Sequence, residues 1–591
     1  MRMTPAVLRS KIVYMSMEIG LDPALPTYSG GLGVLAGDVL RAAADLHVPI
    51  VGMTLLHRKG YFRQKLSATG VQSEAPIDWD PNELLEAVPV QVQVQIEGRT
   101  VHIRPWIYHV KGITGHAIPV YLLDTDLPEN AEYDRRLTDT LYGGDPRYRL
   151  CQEAILGLGG VAVVHALGRS SDMLWHMNEG HSALLTLALL QRRLRERTLD
   201  QVTEADVEAV RGFCVFTTHT PVPAGHDVFP MHMVRHVLGE DRARLLERLN
   251  CSPPDTLNMT TLALYFSRYI NGVAMKHGEV SQGMFPAFPI NAITNGVHAI
   301  TWTSPPFQRL FDRYMNQWRR DNNYLRYARG IPLHDIRVTH AEAKRTFLAE
   351  VQKRTGMHLQ ENVLTLGFAR RAAMYKRAPL LFHDIERLRR IAHEIGPLQV
   401  IYAGKAHPND EPAKQNIRDI FRAAQKLHPD VQVIYLEDYD MRLARDMIAG
   451  VDVWLNTPLR PLEASGTSGM KAALNGVPSF SVLDGWWIEG HFEGHTGWSI
   501  GNGHEEPSDD GAEIHSLYEK LESVIIPLFY EQPDRFAEIQ RSAIAINGSF
   551  FNTQRMLLQY LSNAYFPADA AASHSMDQIG AGNVATRSSV R

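Results

Sequence analysis

The sequence predicts an α/β protein built from two doubly wound domains that face each other across a cleft. Three observations carry this. The chain has 591 residues, too many for one hydrophobic core and suited to two large domains. Short apolar runs recur along it, each ending in polar or glycine-rich residues. A helical pattern follows many of them, so strand and helix alternate in both halves, the signature of parallel sheets with helices on both faces.

In the first half the strand runs are "KIVYMSM", "VPIVGMTLL", "DMLWHM", "FCVFTTH" and "INAITN". In the second half they are "VLTLGFA", "LQVIYAG", "VQVIYLE", "VDVWLN" and "PSFSVLD". Helical patterns such as "VLAGDVLRAAADL" and "RLARDMIAG" lie between them. The second half reads as one doubly wound domain of five or so strands. The first half reads similarly but carries larger insertions. Residues 70–145 are the main one, and the alternation in "VPVQVQVQIEG" predicts an antiparallel ribbon or a sheet edge. The segment "NGVHAITWTSPPFQ" (295–308), with a glycine and two prolines after a strand, is expected to be a hinge. The chain then divides into an N-terminal domain, 1–295, and a C-terminal domain, 296–566. Residues 567–591 form a small, polar tail expected to be disordered.

Composition narrows the function. A net charge of −5 gives no basic field for nucleic acid or membrane. Cys151, Cys214 and Cys251 form no CxxC pair, so neither a disulfide framework nor a zinc ribbon is expected. The first twenty residues hold no signal-peptide core, and no run approaches the roughly 20 apolar residues needed to span a bilayer. A cytoplasmic protein is expected.

Open parallel sheets bind ligands at the carboxyl ends of their strands. After "VLTLGFA" come Arg370, Arg371, Lys376 and Arg377. Four cations at a strand end suit an anion, though a solvated basic face has the same composition. After the first strand, "SGGLG" (29–33) leads into a helix. Its glycines allow close backbone approach and the helix start favours an anion, but the spacing is not the dinucleotide fingerprint. The stretch "EASGTSGMKAALNGVP" (463–478) has the same grammar. Gly466 and Gly469 flank Thr467 and Ser468, and Asn475 and Gly476 are helix stop signals. It is not a P-loop, because Lys471 is followed by Ala472. Lys471 sits in apolar company. It is either a desolvated amine with nucleophilic character or a lysine snorkelling from an ordinary helix.

His176, His181, His219 and His298 end or follow strands. Their spacing matches no metal motif; hydrogen bonding to a hydroxyl-rich ligand and plain packing both remain open. Glu463 and Glu489 would suit a glycosidase pair, but that leaves the anion sites unexplained. Three anion-friendly loops from both domains, beside Glu463, Asn295 and His219, point to phosphate chemistry on a carbohydrate.

At these residues the sequence resembles the α-glucan phosphorylases: the glycogen, starch and maltodextrin phosphorylase family, here in a short form. The motifs are "EASGTSGMKAALNG", "YKR" at 375–377, "AGKA" at 403–406, "GGLG" at 30–33, "HTPVPAGH" and "TNGV". The resemblance implies a fold of two Rossmann-like domains of the GT-B type. It implies pyridoxal 5′-phosphate held as a Schiff base on Lys471. It also implies reversible phosphorolysis, in which inorganic phosphate cleaves a terminal α-1,4-linked glucose to give α-glucose 1-phosphate with retention. The cofactor phosphate, with a second pKa near 6, would relay a proton.

Carried over motif by motif, Arg371, Lys376 and the Gly31 backbone would hold substrate phosphate. Arg370 and the backbone around Thr467 and Ser468 would hold the cofactor phosphate, with Trp302 near the cofactor ring. His219, Asn295, Glu463, Ser465 and Gly466 would bind glucose hydroxyls. Lys376, Arg371, His219 and Glu463 would be the catalytic set. Some positions depart from the larger members. Ala373 and Met374 replace a His-Glu pair, and Asp440 stands where the family often has an arginine, for which Arg442 is the candidate substitute. Glu179 and His181 occur in "NEGH" in place of "NDTH", and Gly20 replaces a cofactor-contacting tyrosine. The chain starts almost at its first strand, so no N-terminal phosphorylation switch is expected. The family also implies a homodimer. Two alternatives share the fold: a nucleotide-sugar-dependent α-glucan synthase, which has no use for Lys471, and a non-catalytic glucan-binding relative.

Overall fold

A computed structural model describes residues 11–168, 173–222, 225–503 and 510–567. The tail beyond Pro567 lies outside the described residues. Each of the ten apolar runs read as strands contains one. They fall into two large sheets.

The second-half sheet has six strands, all parallel. Its order is Gln432–Leu436, Leu398–Ala403, Leu364–Ala369, Val453–Asn456, Ser479–Val482, Gly497–Ile500. In chain order this is 3-2-1-4-5-6, the doubly wound arrangement. The central strands Leu364–Ala369 and Leu398–Ala403 are buried at every residue. Helices cover both faces, so both sides of each strand must be apolar. The sixth strand, "GWSI", was not anticipated, because four residues opening with glycine give little strand signal.

The first-half sheet has ten strands. Its parallel part runs Asn291–Ala292, Tyr269–Gly272, Cys214–Thr217, Leu174–Asn178, Ile12–Met15, Ile50–Leu55, Ala117–Asp124. Chain order around Ile12–Met15 repeats the 3-2-1-4-5-6 pattern. Within the 70–145 insertion, Val92–Ile96 and Arg99–Lys111 form the antiparallel ribbon that the alternation predicted. The insertion goes further than a ribbon: Ala117–Asp124 joins the parallel core beside Ile50–Leu55.

Two chain crossings join the halves side by side. Val297 N donates to Phe551 O at 3.1 Å, and Thr553 N donates to Val297 O at 3.0 Å. After the second crossing, Met556, Leu557, Tyr560 and Tyr565 pack with Ile12, Tyr14 and Leu35 of the first half. Packing therefore does not follow a cut at residue 296; the segment from Met556 to Tyr565 belongs to the first sheet's core. The hairpin Arg63–Leu66/Gln72–Ala75 reaches across the other way. Buried Gln64 donates to Gly404 O at 2.9 Å, and buried Gln72 donates to Ala406 O at 2.9 Å. No helix among the described residues is long and apolar enough to cross a membrane.

Candidate active site

In the second sheet the order reverses between Leu364–Ala369 and Val453–Asn456, and the strand ends there open a crevice. Arg370, Arg371 and Lys376 follow the first strand, and Glu463 follows the second. The crevice brings them together. Lys376 Nζ donates to Glu463 Oε2 at 2.6 Å, and Arg370 Nη2 donates to the same oxygen. Glu463 is 9% exposed and Lys376 8%. Burial would raise the Glu463 carboxyl, but the Arg370 and Lys376 charges outweigh it and hold it at about 2. Arg370 keeps two buried N–H groups, at Nε and Nη1, without a partner. Unmet donors of this kind cost about 1–3 kcal/mol each, so the pocket favours an incoming acceptor. Arg371 is exposed and lines the same cavity as Arg370, Ala373 and Lys376.

Behind Glu463 lies Asp484, which accepts from Glu463 N at 2.8 Å and from Gly485 N at 2.9 Å. Burial and the neighbouring Glu463 charge push its carboxyl up to about 7.

The helix Thr467–Ala473 starts at Gly466, whose φ of 83° is left-handed. A side chain there would be strained and would press on Trp486. No side chain caps this helix, so the Thr467 and Ser468 amides have no acceptor among the described residues. Ser468 Oγ accepts from Trp454 Nε1 at 3.1 Å. Leu474 caps the helix end and Gly476 turns with φ 65°, as the stop signals predicted. Lys471 is 8% exposed, with Nζ 3.9 Å from the centroid of a Trp302 ring. It makes no ion pair among the described residues. Burial lowers its amine to about 8; the Asp38 charge opposes this and the Arg41 charge adds to it. The lysine is thus desolvated, not snorkelling.

The first half supplies the opposite wall. Its order reverses between Ile12–Met15 and Leu174–Asn178. Glu18, after the first strand, accepts from Ser29 N at 2.5 Å, Gly30 N at 3.2 Å and the Tyr142 hydroxyl at 3.1 Å. A protein carboxylate therefore occupies part of the glycine loop. Gly31 opens the helix Gly31–Asp45 with free space around it. His219 Nε2 pairs with Asn178 Oδ1 at 2.7 Å, and Glu179 accepts from His219 N at 2.8 Å. Burial, with the nearby histidines His277, His176 and His181, lowers His219 to about 3, so it is neutral. Its Nε2 then carries the proton and Nδ1 is an acceptor. Asn295 Nδ2 donates to Ser465 Oγ at 3.1 Å across the halves, while its buried Oδ1 has no partner. Among the described residues no hydrogen bond or ion pair links His219 or Gly31 to Glu463, Arg370 or Lys376.

A family model described as carbohydrate phosphorylase matches residues 239–493. Maltodextrin phosphorylase of Thermococcus litoralis is 38% identical over 602 aligned residues, covering 95% of this chain and 71% of the relative. The chain belongs to the carbohydrate phosphorylase family. Glycogen phosphorylase of Aquifex aeolicus is 35% identical, covering 94% of this chain and 86% of that one. Glycogen phosphorylase of Mycobacterium tuberculosis is 37% identical, covering 95% and 71%.

Membership makes the departures informative. Gly20 N donates to Gly33 O at 2.7 Å, and an added Cβ would lie 3.3 Å from that oxygen and from Met441 Sδ, so a side chain here would have to push its neighbours by a few tenths of an ångström. Asp440 caps the helix Met441–Gly450, accepting from Leu443 N at 2.8 Å. Arg442 is exposed and makes no hydrogen bond among the described residues. Three residues singled out by position serve packing. His176 is buried between the Tyr565 hydroxyl at 2.6 Å and Thr217 Oγ1 at 2.9 Å. His298 pairs with Asp45 at 2.9 Å. Glu489 accepts from Met275 N at 2.9 Å and Thr294 Oγ1 at 2.7 Å, and shares no partner with Glu463. His181 is buried, 3.4 Å from Asp227. Sequence reading missed Glu18 and Asp484, although both sit just past strands it had identified.

Proposed function

We propose that this chain is an α-1,4-glucan phosphorylase that uses pyridoxal 5′-phosphate. It catalyses reversible phosphorolysis of a terminal α-1,4-linked glucose to α-glucose 1-phosphate with retention. The observation that carries the cofactor reading is Lys471: a buried amine lowered to about 8, resting on Trp302, one helix turn from open backbone amides. An amine lowered this far keeps a reactive unprotonated fraction near neutral pH, which suits a Schiff base. The residues fit the rest of the group as well. Trp302 would flank the ring, and the unpartnered Arg370 N–H groups with the Thr467 and Ser468 amides would hold the phosphate. Bound there, the group supplies a phosphate monoester able to exchange protons near neutral pH.

The chain's own residues account for the remainder. Arg371, Lys376 and the Gly31 amide bind substrate phosphate. Lys376 and Arg371 offset the repulsion of two phosphates brought close together. Neutral His219, Asn295 Oδ1, Ser465 and the Gly466 backbone accept or donate to glucose hydroxyls, and Glu463 moves between its cation partners and the sugar. The partners are an α-1,4-glucan and inorganic phosphate, and the assembly is a homodimer in the cytoplasm.

The test is the near-ultraviolet spectrum of purified protein with Lys471→Ala beside it. A pyridoxal band in the wild type and none in the variant, together with phosphate-dependent release of glucose 1-phosphate, is the expected result. No band after adding pyridoxal phosphate would overturn the cofactor reading.

A further inference from the structure

Asp38 is a fully buried carboxylate inside the helix Gly31–Asp45, and no step above uses it. It is the meeting point of three chain segments. Its Oδ2 accepts from Trp302 Nε1 at 2.7 Å and from His298 N at 3.1 Å. Its Oδ1 accepts from Arg41 Nη1 at 3.2 Å. Trp302 and His298 belong to the segment that crosses between the halves. Asn475, at the end of the Lys471 helix, is tied to the same segment: its Nδ2 donates to Trp302 O at 2.8 Å, and its Oδ1 accepts from Ser304 N at 2.7 Å. A chain of contacts therefore runs from Asp38 through the Trp302 indole to the Lys471 amine.

We propose that Asp38 is a positioning residue for the Lys471 amine, fixing the Trp302 plane on which the amine rests and supplying the anion that steadies its charge. The geometry gives it two separable effects. The Nε1 hydrogen bond sets the rotation of the indole, and a cation is attracted to the face of that ring. The charge acts through a dry interior, where screening is weak. Asp38 and Arg41 are the charged groups that act on Lys471; both come from the same helix, and they act in opposite directions. Arg41 is held by Asp38 and by the carbonyls of Gly20 and Leu21. Buried away from water and without an ion pair, the amine needs an anion nearby to keep its proton within reach of neutral pH.

The inference rests on Lys471 as the cofactor anchor, so the experiment separates the two. Protein stripped of cofactor is mixed with pyridoxal phosphate across pH 5 to 10. The Schiff base is trapped by cyanoborohydride, and label on the Lys471 peptide is read by mass spectrometry. Only the unprotonated amine reacts, so the pH midpoint reports Lys471. Asp38→Asn removes the charge and keeps the shape: the midpoint falls by about one unit, and labelling at pH 7 becomes about fivefold faster. Asp38→Glu restores the wild-type midpoint. Trp302→Phe keeps a ring but loses the indole N–H, and labelling slows above the midpoint, where the amine is already unprotonated and only its placement counts. An unchanged midpoint in Asp38→Asn overturns the proposal and leaves Lys471 as the anchor. No label on Lys471 in the wild type overturns the anchor and the proposal together. If Asp38→Asn does not fold, a midpoint in Asp38→Glu that departs from wild type by a unit or more, with the charge retained, overturns the proposal that the Asp38 charge steadies the amine.

Discussion

Glu463 holds two buried cations, and replacing it by glutamine should show what that is worth. The Glu463 carboxyl falls from 4.5 to about 2 in the folded protein. At about 1.4 kcal/mol per unit this is a preference of about 3 kcal/mol for the charged form. A lowered acid stabilises the fold above its ordinary value, and that contribution is lost as pH drops from 4.5 towards 2. At pH 7 it is fully present. Glu463→Gln should therefore lower the unfolding free energy by about 3 kcal/mol at pH 7, because Arg370 and Lys376 then share a dry pocket without an anion. Phosphate should return part of the loss, since an anion can take the vacated place between them. Urea unfolding followed by tryptophan fluorescence is the assay. Trp302, Trp318, Trp454, Trp486, Trp487 and Trp498 all lie beyond residue 300, so the signal reports mainly the second half. Sodium chloride at matched ionic strength is the control for screening. A variant within about 0.5 kcal/mol of wild type, or equal recovery by chloride and phosphate, would refute the reasoning.

Two further outcomes follow from buried groups. Asp484 is raised from 3.8 to about 7, so its contribution to stability is present below pH 3.8 and is lost as pH rises through 7. Asp484→Asn should gain on wild type between pH 4 and pH 8, by up to about 4 kcal/mol, and a gap that stays constant across unfolding curves at pH 5 and pH 8 would contradict this. Tyr565→Phe leaves His176 Nδ1 without its 2.6 Å partner in the core. It should cost about 1–3 kcal/mol of stability while kcat and KM for phosphate stay at wild-type values, which steady-state kinetics beside unfolding curves would check.

Much of this architecture was legible because parallel strands covered on both faces must be apolar throughout. "VLTLGFA" and "LQVIYAG" stand out for that reason, and the residues just after them are the ones a doubly wound sheet presents to a ligand. Tyr269–Gly272 and Gly497–Ile500 were illegible: each has four residues, glycine sits at one end, and pairing alone makes them strands. Ala117–Asp124 was hidden inside an insertion whose clearest pattern was antiparallel alternation. In the site, cation-rich and glycine-rich stretches gave themselves away by composition. The pairing of Glu463 with Arg370 and Lys376 did not, because 93 and 87 residues of chain separate the partners. Asp38 gave no signal at all, since an aspartate within a helix resembles any surface carboxylate until the helix is placed.

Across the cleft, groups suited to anions are met by carboxylates of the protein itself. Glu463 takes an N–H each from Arg370 and Lys376, Asp38 takes Arg41, and Glu18 takes the amides of Ser29 and Gly30. Buried cations without such partners would destabilise the fold by several kcal/mol. The carboxylates therefore make a cation-rich cleft compatible with a stable protein before any anion arrives. They also set terms for binding. An anion entering beside Arg370, as the proposed reading requires, would gain the two unpartnered N–H groups there but would have to share Lys376 with Glu463. Arg371, which makes no ion pair among the described residues, is under the proposed reading the cation that would meet phosphate first. Affinity then depends less on the number of cations than on how far Glu463 yields its partners, a property that one carboxylate-to-amide change isolates.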